Sequence, residues 1–123
     1  GMTFEPIHRL VFGVDVEQAL KAMVQDFESK GWGPVRILEG KSLESAPSAP
    51  GCHHIEFRTK DRRGIIAVEH PEMVLEVATL TAWLDPHLAA TKGSSVDYVH
   101  GEEVIAARTA EASTTLAFLL PIM

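Results

Sequence analysis

Two short stretches, Leu10-Val11-Phe12 and Ile65-Ile66-Ala67-Val68, hold apolar side chains at consecutive positions. Successive side chains of a strand point to opposite faces, so strands built from these residues are apolar on both. A sheet with helices on one face and water on the other alternates apolar and polar residues instead. The second face therefore needs a cover, because a bare apolar patch of that size is unusual on a monomer. Two covers are open from the residues alone. Copies of the chain can associate through that face, which is the preferred expectation. Alternatively, the apolar tail after Ala110 can fold back over it.

Around these stretches the chain reads as alternating elements. A first strand is expected from Ile7 to Val14, between Pro6 and Asp15. Asp15 and Gln18 make a capping-box pair, and Val16, Ala19, Leu20, Met23, Val24 and Phe27 recur on one helical face. Gly31 is placed to close that helix in a left-handed conformation. Val35 to Glu39 reads as a second strand ending at Gly40. From Lys41 to Gly51 three serines, two prolines and two alanines leave no periodic apolar face, which predicts a mobile loop.

His54-Ile55-Glu56-Phe57 then reads as a short extended arm, Arg58 to Arg63 as a charged knot, and Gly64 to Val68 as the clearest strand. Pro71 and Glu72 suit the first turn of a second helix. Its face is Met73, Val77, Leu80 and Leu84, and Pro86 should end or bend it. Thr91 to Ser95 is a turn, and Val96 to Val99 is the last core strand, which Val104 and Ile105 extend or follow with a turn. The tail from Ala110 to Met123 carries Leu116, Phe118, Leu119, Leu120 and Ile122, too apolar to hang free. This β-α-β-β-α-β order predicts one α+β domain over residues 2–123. It would be a ferredoxin-like fold, with a four-stranded antiparallel sheet and two helices on one face.

Size and charge narrow the function classes. A chain of 123 residues holds one good core, and 46% hydrophobic with 23% charged residues is an ordinary globular composition. A formal net charge of -6 argues against a general nucleic-acid or membrane-surface binder. Cys52 is the one cysteine and suits a reducing compartment. No stretch approaches the roughly 20 apolar residues of a membrane span, and no signal-peptide pattern opens the chain. A cytoplasmic protein is expected. Gly1 before Met2 reads as an expression-tag remnant and is set aside.

Several residues carry chemistry. Cys52-His53-His54 offers a thiolate and two imidazoles, ligands suited to copper or zinc. Three adjacent residues reach one ion poorly, so an incidental loop sequence weighs against that reading. Arg58, Lys60, Arg62 and Arg63 can bind a phosphate or carboxylate, or can form a solvated turn. Lys92-Gly93-Ser94-Ser95 can cradle an anion with backbone N–H groups and hydroxyls. His8, His70, His87 and His100 lack metal-ligand spacing and read as structural or exposed, and Trp32 and Trp83 as packing residues. No Walker loop, nucleophile elbow or dinucleotide fingerprint is present, so a non-enzymatic protein is expected.

From Pro6 to Glu111 the chain resembles the PII superfamily of signalling proteins. Ile55-Glu56-Phe57, the charged link, Gly64 to Val68 and His70-Pro71-Glu72 look like the family's return from its long T-loop into a strand and helix. Val96-Asp97-Tyr98-Val99 with the following Glu102 to Thr109 is similar to its closing strand and Arg-Thr segment. The family's Gly-Asp-Gly-Lys phosphate run is absent, which suggests a divergent PII-like branch.

The resemblance implies a cytoplasmic homotrimer with effector sites at subunit clefts. No cofactor would be obligatory, and the effector would be a small anion such as an adenine nucleotide or a bicarbonate-like species. Its site would comprise Gly40, Lys92, Gly93, Ser94, Ser95, Arg108 and Thr109. The T-loop-like segment over 41–54 would signal to a target protein, a membrane transporter or an enzyme. The alternative is a metal-responsive PII-like module that uses Cys52, His53 and His54.

Overall fold

The apolar tail supplies the strand around which the sheet is built. In the computed structural model, which describes residues 6–121, nine elements follow in order. They are β1 (His8–Phe12), α1 (Val16–Ser29), β2 (Val35–Glu39), β3 (His53–Arg58), β4 (Arg63–Val68), α2 (Glu76–Ala90), β5 (Ser95–Val99), α3 (Glu102–Glu111) and β6 (Leu116–Leu119). The strands form a single sheet in the order β2-β4-β3-β6-β1-β5, and every neighbouring pair is antiparallel. Ile122, the last apolar residue of the tail, lies outside the described residues.

This overturns the ferredoxin-like expectation of four strands and two helices. The arm at 54–57 is a full strand, joined to β4 by a tight hairpin in which Thr59 N donates to Arg62 O at 2.8 Å. Leu116–Leu119 then inserts between β3 and β1, with Phe118 opposite Phe57 on one side and Arg9 on the other. Val104 and Ile105 belong to α3 rather than to a strand or turn. Gly101, at φ +85°, breaks the chain after β5, and Glu102 and Glu103 suit the positive end of the helix that follows.

The first helix forms as its spacing predicts. The Asp15 carboxylate accepts from Gln18 N at 3.1 Å, and Ala19, Leu20, Met23 and Phe27 are buried. The second starts at Glu76 instead of Pro71, because the Val74 carbonyl is used by the His53 ring. Pro86 lies inside it without ending it. Its C-terminus is closed by hydroxyls, with Thr91 donating to His87 O and Ser94 to Leu88 O.

The central strands are buried on both faces, as the two-phase apolar stretches require, while the edge strands β2 and β5 stay largely exposed. On the first, Val11, Phe57, Ile66, Val68, Leu116 and Phe118 pack with Leu20, Met23 and Phe27 of α1 and Leu80, Trp83 and Leu84 of α2. On the second, Leu10, Ala117 and Leu119 pack with Ile105 of α3. Ile65 and Ala67 also point to this second face and are buried. Over their neighbours lies the chain between β2 and β3: Leu43 N donates to the Glu56 carboxylate, and His54 bonds Ala46 O. The expected loop thus folds onto the sheet. Helix α3 and this loop supply cover for the second face from within the chain.

At one end of the sheet the α2–β5 turn closes on the β1–α1 turn. A Cβ on Gly13, at φ +73°, would stand 2.5 Å from Gly93 O, so only glycine fits this approach. No helix among the described residues is long and apolar enough to cross a membrane.

Candidate functional site

The residues expected to hold an effector divide between the two edges of the sheet. Lys92, Gly93 and Ser94 form the α2–β5 turn and Ser95 opens β5 opposite Phe12. The Arg108 guanidinium lies 5.7 Å over the ring of Phe12, the residue opposite Ser95, and pairs with Glu111 at 3.4 Å. Other members are committed to structure. Ser94 Oγ donates to Leu88 O and Thr91 O, and the buried Thr109 hydroxyl donates to Ile105 O at 2.8 Å. Gly40 follows β2 at the opposite edge, five strand spacings or about 24 Å from β5. Within one chain it shares no site with Lys92.

The geometry also separates Cys52, His53 and His54. Adjacent strand residues face opposite ways. His53 turns to the helices, with Nδ1 2.8 Å from Thr79 Oγ1 and Nε2 3.2 Å from Val74 O and 3.6 Å from Glu76. His54 turns to the other face and bonds Ala46 O at 2.7 Å. Cys52 Sγ donates to Glu69 at 3.5 Å, and burial together with that carboxylate pushes its thiol up, away from the thiolate a metal needs. Among the described residues no three His, Cys, Asp or Glu side chains are grouped to hold an ion.

A cleft of about 700 Å³ opens on the second face, between the β2–β3 loop and the start of α3. Its walls include Ser42, Leu43 and Glu44 of the loop, Gly101 and Glu102 at the start of α3, and Leu119 to Pro121 at the end of β6 and beyond. Glu56, Arg58 and His8 line it from the sheet, and Arg63 from the first position of β4. Glu56 is only 3% exposed. Its Oε1 accepts from Leu43 N at 2.9 Å, and its Oε2 from Arg58 Nε at 3.1 Å, with Arg63 at 3.6 Å. Arg58 continues to Glu102 through Nη2. Buried charges persist when paired and hydrogen-bonded in this way.

His8, 5% exposed, occupies the same row of the sheet. Its Nδ1 accepts from Leu120 N at 3.2 Å, which places the proton of the neutral ring on Nε2. Burial holds its pKa below the ordinary 6.5; Glu102 and Glu56 pull upward, while Arg58 and His100 push down. Burial lowers His87 as well. A depressed imidazole pKa means that the unfolded chain binds more protons below 6.5. Stability contributed by the two neutral rings is therefore complete above about pH 7 and lost as pH falls through the folded values. Thermal melts should be flat from about pH 8 to 7 and decline below about 6.5, with a shallower decline in His8→Asn, which keeps an acceptor for Leu120 N. An unchanged slope in that variant would show His8 to be solvated.

Of the basic knot, Arg58 and Arg63 line the cleft, while Arg62 turns to Glu17 and Glu39. His8 and Glu56 were missed. The available signal was Glu56 itself, a lone carboxylate between Ile55 and Phe57 in a strand with both faces covered. The chain matches no protein-family model, and neither a curated protein nor a solved structure is significantly similar to it.

Proposed function

We propose that this chain is a regulatory domain without catalytic activity, PII-like in its mode of action. It takes a small anionic effector in the cleft of the second face and signals through the loop between β2 and β3 to a partner protein. One observation carries the reading: that loop is a wall of the cleft and is tied by Leu43 N–H to the buried Glu56 carboxylate. An occupant that draws on Arg63 or Glu56 must change the hold on Leu43, so occupancy and loop conformation are coupled. The volume lies within the range of small-molecule pockets. Glu56 and Glu102 are both tied up by Arg58, an arrangement that favours binding over catalysis.

A thermal-shift screen over nucleotides, phosphate and carboxylates, followed by hydrogen exchange with the best binder, tests this. A binder at a hundred times its Kd stabilises the native state by about 2.7 kcal/mol and should slow exchange across residues 41–51. Absence of any shift across the panel, or a binder that leaves exchange in 41–51 unaltered, removes the reading.

A further inference from the structure

Resting on that reading of the cleft, we infer that its occupant is a monocarboxylate with an apolar body, held by His8 Nε2–H and the Arg63 guanidinium. The His8 ring is nearly buried, and Leu120 N–H takes its Nδ1. Nε2–H is left as a donor with no partner among the described residues, on a side chain that lines the cleft. Arg9 Nε is the one buried, unpartnered side-chain nitrogen or oxygen among the described residues, so His8 Nε2–H opens on the cleft, where a ligand's acceptor can take the place of water.

Of the two guanidinium groups, Arg58 is engaged at both ends by Glu56 and Glu102. Arg63 is 48% exposed, and among the described residues its one ion pair is the 3.6 Å approach to Glu56. It is the cation with donors to spare, and its planar fork suits a carboxylate.

Charge sets the valence of the ligand. Glu44, Glu56 and Glu102 face Arg58 and Arg63 across the cleft, so with His8 neutral the lining carries a surplus of one negative charge. Such a lining opposes a nucleotide polyphosphate or a tricarboxylate far more than a single carboxylate. The remaining walls, Pro6, Leu43, Leu119, Leu120 and Pro121, present apolar surface that a chain or ring can cover.

Calorimetric titration of the full chain with acetate, butyrate, hexanoate, benzoate, citrate, phosphate and ATP tests the inference. Affinity should rise from acetate to hexanoate by roughly threefold to fourfold per methylene. Arg63→Ala, at a half-exposed position, should weaken hexanoate by about tenfold or more. His8→Asn keeps the acceptor for Leu120 N but loses the Nε2 donor, and should also weaken it about tenfold. His8→Gln, whose amide nitrogen reaches the Nε2 position, should recover most of that loss. Binding of ATP, phosphate or citrate without the monocarboxylates would overturn the carboxylate assignment and leave the cleft as an effector site. Equal hexanoate affinity in wild type, Arg63→Ala and His8→Asn would likewise overturn it. If no probe binds the wild-type chain, the effector reading of the cleft falls as well.

Discussion

Phe118→Ala should cost about 3–5 kcal/mol in urea denaturation, near the top of the range for a single core truncation. Phe118 is fully buried in the strand at the middle of the sheet, opposite both Phe57 and Arg9. Its ring meets Trp83 of α2 edge-on at 6.0 Å, so one side chain ties β6 to both neighbouring strands and to a helix. Removing it leaves a cavity that surrounding strands, fixed by their ladders, cannot close. The midpoint should fall with little change in the urea dependence, since the folded and unfolded surfaces stay nearly the same. Val74→Ala, at an exposed position before α2, should stay within about 0.5 kcal/mol. A Phe118→Ala loss below about 1 kcal/mol would mean that β6 does not occupy the centre of the sheet in solution.

That strand was the part of the fold least legible in the residues, and the reason is physical. Leu116-Ala117-Phe118-Leu119 is apolar in every phase, so no period distinguishes a buried strand from a buried helical turn. Its partners β1 and β3 are far away in the chain, and nothing local selects them. Helix α3 is obscured in the opposite way: it buries only Ile105 and Thr109 and leaves no stripe to recognise. By contrast α1 announces itself through Asp15, Gln18 and its apolar spacing, and β2 through the punctuation on either side.

The inference that both sheet faces need cover was sound. Much of the cover on the second face comes from the chain's own loop and from α3, elements whose sequences show no apolar stripe. Site residues follow the same division. Cys52, His53 and His54 do not converge within the described chain because neighbours on a strand alternate, while the placement of His8 depends on Leu120 N, a partner at the other end of the chain.

Arg58→Ala should destabilise the protein by about 3 kcal/mol, whereas Arg62→Ala, in the same basic knot, should lose less than about 1 kcal/mol. Proximity alone ranks them the other way, since Arg62 makes short ion pairs to both Glu17 and Glu39. Those carboxylates are 55% and 57% exposed, however, and water holds them nearly as well once Arg62 is gone. Glu56 has no such recourse. Without Arg58 its buried charge keeps only the Leu43 N–H and the distant Arg63, and an uncompensated buried charge is the costly state.

The same logic fixes the sign of a double-variant cycle. Glu56→Gln made in the Arg58→Ala background should restore more than half of the loss, because the amide removes the stranded charge and keeps an acceptor for Leu43 N. Equal losses for Arg58→Ala and Arg62→Ala in urea denaturation would show that solvent reaches Glu56 freely. The carboxylate would then no longer link the cleft floor to the loop above it.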